Sequence, residues 1–341
     1  MRITLQDIAE KAGVSRGTVD RAIHNRGSIN PEVAERIRKL ADEMGYKPNL
    51  GGRALAFAKK KYKIGAIAQF GETPFVKAMA KGLDAARAEI EDLGCTVLPR
   101  RVEGVDAAKV VQYMEEFLEE GINGLALIAY DNEMLRQEIH KYHEAGIPVI
   151  TFNSDIPGSD RFCFLGQDSY KCGKVAGGIV GDLLQGAGKV LILSGSDNVP
   201  IHHNRRNGFR EVIKERYPDI ELMFLHYSYD NPEKLISQTR EMLQSRTDID
   251  LLYIDSPVVF EIIKILKEMN VGHKLKVIVQ DQSGWDTSYL VDGTIDYCID
   301  DDAFYQGYEP IMILFRYLYH GSLPEKEYLY TDIHIISRYI I

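Results

Sequence analysis

The sequence has few cysteines and no long apolar segment. Its 341 residues include four cysteines, which lie far apart without a Cys-x-x-Cys pair. This pattern argues against a zinc knot or a disulfide framework and is typical of a reducing compartment. No apolar run approaches the roughly 18 residues of a membrane span, and the first residues lack the apolar core of a signal peptide. We therefore expect a cytoplasmic protein that has no membrane partner.

Catalytic and metal-binding motifs are also missing. The sequence has no Gly-x-Ser-x-Gly elbow, and no glycine-rich nucleotide-binding or phosphate-binding motif follows a strand candidate. His202 and His203 are neighbours, so their side chains point apart on a helix or a strand. The run Asp300-Asp301-Asp302 lacks the glycine and the closing glutamate of a calcium loop. We expect no catalytic residue, no metal site and no cofactor.

Length, composition and charge predict two or three domains with different partners. The 45% hydrophobic content excludes a disordered chain, and the length exceeds what one core usually supports. The first 63 residues carry 14 Lys and Arg against 7 Asp and Glu, whereas the other 278 carry 27 against 43. A basic head on an acidic body suggests that the head meets a polyanion, with nucleic acid the leading candidate. A solvated basic face is the alternative.

The pattern of residues 1–46 predicts three short helices. Thr4 suits an N-cap, apolar residues then recur at helical spacing, and Gly13 stops the first helix. Ser15 can cap a second helix, and Asn30-Pro31 can start a third. The second helix has a polar and mostly basic outer face. Two helices joined by a tight turn in this way form a helix-turn-helix, whose second helix can enter the major groove of DNA.

The stretch from Thr4 to Arg21 resembles the DNA-binding signature of the lactose-repressor (LacI) family of bacterial transcription regulators. The resemblance implies that double-stranded operator DNA is a partner. Arginine suits base readout because its fork can pair with guanine O6 and N7. By the resemblance, the positions that read base edges are Arg16, Gly17 and Arg21, and the positions that hold phosphate are Ser15 and Thr18.

Two residues depart from the family pattern of this signature. Asp20 stands where the family usually has a small hydroxyl residue, and Gly17 has no side chain to read with. A carboxylate that faces phosphates repels them, unless it accepts from a cytosine amine or pairs with a nearby arginine. We therefore expect Asp20 to lie at the DNA interface in one of these two roles.

Residues 47–62 connect the head to the body. Pro48 and two glycines make this segment a poor autonomous helix, because each glycine costs roughly 1 kcal/mol relative to alanine in a helix interior. The segment is similar to the LacI-family hinge, which becomes helical on DNA. The resemblance implies that Leu55 enters the minor groove, where an apolar wedge kinks the duplex, and that Arg53 joins the DNA-binding residues. A plain interdomain linker is the alternative.

From residue 63 onward, β-branched runs alternate with stretches of helical length and period. Eight strand candidates run from residues 64–69 to residues 276–280. Strands separated by helices predict parallel sheets that helices cover on both faces. We expect an α/β body of two doubly wound parallel-sheet lobes in residues 63–341. We expect lobe 1 in about 63–163 plus 300–322, and lobe 2 in about 164–299 plus 323–341.

Polar and acidic residues follow the strand candidates, where such sheets bind ligands. Their order, with GIPVITFNSD at residues 146–155, resembles the effector domain of LacI-family regulators and the sugar-binding proteins of transport systems, the type I periplasmic-binding-protein fold. By the resemblance, Phe75 stacks on a sugar ring, and Asp301 stands where the family usually has glutamine. The predicted ligand-binding residues are Phe75, Asp131, Asn153, Asp155, Arg205, Asp255, Asp281 and Asp301.

A small sugar or polyol suits these residue types. Carboxylates accept from hydroxyls, an arginine donates in a fork, and an aromatic side chain covers the apolar face of a sugar ring. The excess of carboxylates over arginine also suits an amino sugar or another cationic ligand, because buried unpaired carboxylates are costly. A neutral sugar is the leading prediction.

These patterns together predict a sequence-specific, DNA-binding transcription regulator, a repressor by the usual behaviour of the family. A sugar or polyol effector bound between the two lobes would control its operator affinity allosterically. We expect a homodimer on an inverted repeat, because the C-terminus has no heptad run that would add a tetramer contact. A sugar-modifying enzyme that carries a DNA-binding appendage is the alternative.

Overall fold

The computed structural model describes residues 3–24, 29–46, 57–70, 73–104, 106–195, 200–226, 232–256, 258–271, 275–284 and 286–340. Arg53 and Leu55, the two linker residues predicted to contact DNA, lie outside these described residues. None of the described helices has both the length and the apolar character that crossing a membrane requires. The described elements form a small helical head and a larger α/β body.

The head is a three-helix domain, as its sequence pattern predicts. Helix α1 spans Leu5–Ala12, α2 spans Arg16–His24 and α3 spans Pro31–Glu43. Thr4 caps α1, and Gly13 ends it with a φ of 67°. One small core holds the three helices together and leaves the outer face of α2 exposed. The buried residues of this core are Ile8, Ala9, Val19, Ala22, Ala34, Ile37 and Ala41.

The first lobe is a parallel sheet covered by helices on both faces. Its described strands are β1 (Lys63–Phe70), β2 (Thr96–Glu103), β3 (Gly124–Leu127), β4 (Val149–Phe152), β5 (Cys163–Gly166) and β11 (Tyr328–Tyr330), in the order β11-β5-β4-β3-β1-β2. Two helices share one core cluster with the sheet, α4 (Pro74–Glu91) and α12 (Ala303–His320). Two others form a second cluster with it, α5 (Ala107–Glu120) and α6 (Glu133–Glu144).

The second lobe repeats this architecture. Its described strands are β6 (Ala187–Ser194), β7 (Asp219–His226), β8 (Leu251–Asp255), β9 (Lys276–Gln280), β10 (Tyr297–Asp300) and β12 (His334–Ile336), in the order β12-β10-β9-β8-β6-β7, with β12 antiparallel to β10. Its helices are α7 (Ser169–Leu183), α8 (Pro200–Arg216), α9 (Pro232–Ser245), α10 (Val259–Glu268) and the short α11 (Ser288–Val291). The predicted α/β fold with two doubly wound lobes is confirmed.

The chain crosses between the lobes three times within the described residues, and the predicted boundary needs a correction. Strand β5 hydrogen bonds to β4 and to β11, so residues 164–166 and 328–330 lie in the first sheet, whereas the prediction assigned them to lobe 2. A four-residue strand that ends in Gly166 has too little sequence pattern to be told from a break between lobes. The crossings follow β5, β10 and β11.

Helices α4 and α12 of the first lobe form a closely packed pair. A Cβ atom added to Gly82 would lie 2.0 Å from the carbonyl oxygen of Phe304. One added to Gly307 would lie 1.9 Å from the carbonyl oxygen of Met79. Both glycines are therefore required for the backbones of the two helices to approach so closely.

The helix pair α7 and α8 in the second lobe has the same contacts. A Cβ on Gly173 would lie 1.9 Å from the carbonyl oxygen of Arg205, and one on Gly208 would lie 2.0 Å from that of Tyr170. In both lobes, each glycine faces a carbonyl oxygen of the partner helix, and that carbonyl belongs to the residue three positions before the contact glycine of the partner helix. This packing fixes the backbone of Arg205 and aims its side chain at the carboxyl ends of the sheet.

Candidate functional sites

The outer face of α2 presents two arginines beside a pair of hydroxyls. Ser15, Arg16, Gly17 and Arg21 are exposed. The Oγ atom of Ser15 accepts from the backbone N–H of Thr18 at 3.1 Å and lies 2.9 Å from its Oγ1. Arg21 Nη2 lies 3.5 Å from Thr18 Oγ1. The predicted phosphate-binding and base-reading residues therefore share one surface.

Gly17 and Asp20, the two departures from the family pattern, lie on the same helix. A Cβ on Gly17 would meet Ser15 Oγ at 3.8 Å and nothing closer among the described atoms, so the surface there is open. Asp20 is half-buried and has an interaction partner within the protein. A carboxylate held by a neighbour repels DNA phosphates less than a free one.

A buried ion pair lies at the centre of the body. Arg205 of α8 and Asp255, the last residue of β8, are 3% and 2% exposed, and Arg205 Nη1 donates to Asp255 Oδ1 at 2.6 Å. Burial opposes the ionisation of Asp255, but Arg205 and His202 hold the pKa of its carboxyl below the ordinary value. The pKa of Arg205 is raised by Asp255 against the effect of burial, so both side chains are charged.

Arg205 also contacts two of the segments by which the chain crosses between the lobes, the segment that leads into α7 and the segment that leads into α12. Its Nη2 donates to Gln167 Oε1 at 2.9 Å and lies 3.4 Å from Asp301 Oδ2. Gln167 follows β5 and Asp301 follows β10. Each stands six residues before the contact glycine of its helix, Gly173 or Gly307. One guanidinium therefore bridges both crossings.

Three carboxylates cluster beside this bridge. Oxygen atoms of Asp281, Asp300 and Asp301 lie within 4.8 Å of one another. Burial and Asp301 raise the pKa of Asp281 to about 7. Burial, opposed by Arg205 and aided by Asp300 and Asp255, raises the pKa of Asp301 to about 6. Full ionisation of all three carboxylates at neutral pH is therefore unfavourable.

The first lobe contributes Asn153 and Phe75. Asn153 follows β4, and its Nδ2 donates to Gln306 Oε1 at 3.2 Å. Gln306 in turn donates to the carbonyl oxygen of Asp301 at 2.6 Å. Phe75 is half-buried in the first turn of α4, packed against the core of the first lobe. The structure therefore joins Asn153 to the carboxylate cluster through one amide.

The loop after β9 touches the first lobe beside Phe75. A Cβ on Gly284, whose φ is 84°, would lie 2.1 Å from the Cβ of Pro74. Pro74 is the first residue of α4. The second lobe therefore meets the first at a position where only glycine fits. We call the region between the two lobes around Arg205 and the carboxylate cluster the crevice.

Two predicted ligand residues are engaged elsewhere. Arg161 donates to both oxygens of Asp155, at 2.5 and 2.8 Å, and the hydroxyl of Thr151 donates to Asp155 Oδ1 at 2.6 Å. The side chain of Asp131 is 67% exposed and pairs with Arg136 at 2.6 Å. The structure brings neither carboxylate into contact with the cluster around Arg205, because neighbouring arginines hold both.

Sequence reasoning also missed three polar residues of the crevice: Gln167, His202 and Gln306. His202 Nδ1 lies 3.3 Å from Asp255 Oδ1, a contact that the sequence gives no means of predicting. Gln167 could have been found, because it precedes Gly173 by the same six residues that separate Asp301 from Gly307. Gln306 lies inside a helix that the sequence pattern did not predict.

Two family matches cover most of the chain. Residues 64–322 match the family described as a periplasmic binding protein domain. Residues 4–49 match the family described as bacterial regulatory proteins, lacI family. The two matches divide the chain into the head and the body that the structure describes.

Similar proteins cover between 81% and 98% of the chain. It is 22% identical over 340 residues to the ribose operon repressor of Lactococcus lactis subsp. lactis (strain IL1403), covering 98% of this chain and 97% of that protein. It is 25% identical over 299 residues to the sucrose operon repressor of Pediococcus pentosaceus, covering 85% and 84%. A solute binding protein from Burkholderia graminis, solved in complex with D-arabinose, shares the fold of the body with a TM-score of 0.71, at 18% identity over 81% of this chain and 95% of that chain.

Proposed function

This chain belongs to the lacI family of bacterial regulatory proteins, with a periplasmic binding protein domain as its body, and on that basis we propose that it is a ligand-controlled repressor. Its head binds operator DNA in the cytoplasm, and a small sugar or polyol in the crevice changes that affinity. The observation that carries the proposal is the presence, on one chain, of an exposed arginine face on α2 and of buried polar groups that converge on Arg205.

Base readout falls to the two arginines of α2. Arg16 and Arg21 are exposed on the face that would meet the major groove, and Ser15 and Thr18 place hydroxyls beside them for phosphate. A homodimer would place two such helices on the half-sites of an inverted repeat. Leu55 and Arg53 would then act in the minor groove between them.

Sugar recognition falls to six of the eight predicted ligand residues. Phe75 and Asn153 would contact the sugar from the first lobe, and the others would do so from the second lobe and the crossing after β10: Arg205, Asp255, Asp281 and Asp301. The relatives named as ribose and sucrose operon repressors support a sugar effector. Hydroxyl donors and acceptors of a sugar match the mixture of carboxylates, amides and guanidinium.

Helix α12 offers a path from the crevice to the linker. It begins beside Asp301 and runs 18 residues, which corresponds to about 27 Å. At its far end, Phe315 and Tyr319 pack against Phe57, with ring centroids 5.5 and 4.9 Å away. Phe57 is buried and lies in the second half of the linker, residues 47–62. A ligand that moves α12 would therefore act on the point where the linker enters the first lobe, with a coupling of about 1–3 kcal/mol.

The proposal is tested by measuring DNA affinity with and without sugars. Full-length protein is used to select operator sequences from genomic fragments, and fluorescence anisotropy then follows binding at physiological ionic strength. We expect a preferred inverted repeat and at least one sugar that changes its affinity about 5- to 150-fold. Equal affinity for all fragments would refute the regulator. Turnover of a sugar by the purified protein would instead favour the sugar-modifying enzyme.

A further inference from the structure

We propose that the effector carries a protonated amine, which binds among the carboxylates of Asp281, Asp300 and Asp301. This inference rests on the proposed function, because it assigns a chemical class to the ligand of the same crevice. The three carboxylates come from the ends of two neighbouring strands, β9 and β10, so the fold itself brings them together.

The spacing of the carboxylate oxygens suits an ammonium group. One oxygen atom from each residue lies within 4.8 Å of the other two. An ammonium has three N–H donors in a tetrahedral arrangement, and N–H···O distances of about 2.8 Å place the three acceptors about 4.6 Å apart. The limit of 4.8 Å on the oxygen separations therefore admits a primary amine that donates to all three carboxylates.

A second observation points to a missing donor at this place. Asp301 is 4% exposed, and its Oδ1 atom has no hydrogen-bond partner among the described residues. Its Oδ2 atom lies at the long distance of 3.4 Å from Arg205 Nη2. Buried polar atoms in native proteins are nearly always satisfied, so an orphaned carboxylate oxygen inside a binding crevice indicates a donor that comes with the ligand.

Charge favours an amine over a hydroxyl. Arg205 contacts Asp301 at 3.4 Å but gives its closest contact to Asp255 at 2.6 Å, so Asp255 largely neutralises it. Burial raises the pKa of both Asp281 and Asp301, and repulsion from a neighbouring carboxylate, Asp301 for Asp281 and Asp300 for Asp301, raises each pKa further. A positive group relieves this repulsion, whereas a sugar hydroxyl donates a hydrogen bond without supplying charge.

A divalent cation suits the site less well than an amine. Calcium requires six to eight oxygen ligands, whereas the cluster offers one oxygen from each of three carboxylates at this spacing. The guanidinium of Arg205 beside Asp301 also repels a doubly charged ion more than a singly charged one.

The test compares matched pairs of sugars that differ only in one group. Full-length protein is titrated with D-glucosamine, D-galactosamine and D-mannosamine, with the parent hexose of each, and with the neutral N-acetyl derivative of each. Thermal shift and calorimetry measure binding near neutral pH, and CaCl2 and MgCl2 are tested alone. We expect an amine to bind about 10- to 100-fold more tightly than its neutral counterparts.

Variants then place the amine. Asp301→Asn keeps the size of the side chain and is expected to reduce the preference for the amine over the parent sugar about tenfold or more. Asp281→Asn should do the same. Asp131→Asn serves as the matched control, because that carboxylate is exposed and lies outside the cluster. Circular dichroism shows that each variant is folded before the ratio of affinities is compared.

Several outcomes overturn the inference. Equal or tighter binding of a parent hexose, no binding of any of the three amines, or an equal thermal shift with CaCl2 alone would each do so. If a neutral sugar binds and alters operator affinity, the proposed function stands while the amine is wrong. If no sequence preference for DNA is found at all, the proposed function itself fails.

Discussion

Asn153 and Asp281 hold equivalent positions in the two lobes. Each directly follows its strand, β4 or β9, and each has a positive φ, 61° and 69°. The backbone N–H of Asn153 donates to Leu165 at 2.9 Å, and that of Asp281 donates to Ile299 at 2.8 Å. Asn and Asp tolerate this backbone region better than other residues with a Cβ. The same backbone device therefore presents one polar side chain from each lobe to the crevice.

Arg21→Ala should weaken operator binding and relax base preference. Because an arginine fork discriminates between bases by about 1–3 kcal/mol, we expect this loss at one position of each half-site. Anisotropy titrations with half-site variants measure it. Arg246→Ala is the control, since Arg246 pairs with Asp248 in the second lobe. Unchanged relative affinities for all half-site variants would refute direct readout by Arg21.

Asp155→Asn should lower stability and leave ligand affinity unchanged. The side chain of Arg161 is fully buried, and Asp155 binds it through two oxygens, while Glu327 remains as a second partner at 3.0 Å. Breaking such a buried pair costs up to about 3–5 kcal/mol. Urea unfolding and calorimetry measure the two effects. A variant of unchanged stability that no longer binds the effector would return Asp155 to the ligand site.

The pH dependence of stability should change in Asp281→Asn. Burial raises the pKa of Asp281 from 3.8 to about 7, so the folded protein binds a proton that the unfolded chain releases. The contribution of this group to the free energy of unfolding therefore falls as pH rises from about 4 to about 7, and each unit by which the pKa is shifted corresponds to about 1.4 kcal/mol. In urea unfolding at a series of pH values, the stability of the variant relative to wild type should increase across that range. Parallel pH profiles would contradict the assignment.

Gly284→Ala should hold the two lobes apart. An added Cβ would lie 2.1 Å from Pro74, and a φ of 84° strains any side chain. We expect weaker effector binding, because a ligand that contacts both lobes needs them close, and unchanged DNA affinity in its absence. Calorimetry and anisotropy measure the two. Gly178→Ala in α7 is the matched control, since its Cβ would meet no described atom within 4 Å. Equal effector affinity in both variants would show that the close approach of Gly284 to Pro74 is not required for effector binding.

Phe57→Leu should separate effector binding from the DNA response. Leucine keeps an apolar side chain in the core but loses the ring contacts with Phe315 and Tyr319. We expect normal effector affinity and normal operator affinity, with a smaller change of operator affinity when effector is added. Phe117→Leu, which alters a buried phenylalanine of the other core cluster, controls for general destabilisation. An unchanged response in Phe57→Leu would exclude this path.

Periodicity predicted most of the body, and the missed elements have a physical explanation. The eight strand candidates all overlap observed strands. Helix α7 has a weak helical pattern because its glycines disfavour a helix, although Gly173 is needed for packing against α8. Helix α12 contains Pro310, which argues against a helix interior. In both cases tertiary contact overrides local propensity.

The positions of Asn153 and Asp281 could be predicted from the strand pattern. Both residues directly follow a strand, where parallel sheets bind ligands, and their role in binding stays a prediction. Asp155 follows β4 as well, but Arg161, six residues further along the chain and just before β5, binds it. Whether a carboxylate faces a ligand or a neighbouring arginine depends on the path of the loop between them, which residue types and spacing do not reveal.

The guanidinium of Arg205 holds Gln167 and Asp301, which belong to two of the three described crossings between the lobes. A compound that competes for this one side chain would release both crossings at once, even if it were too small to contact Phe75. Fragments that bind only in the second lobe should therefore be screened as antagonists of the natural effector.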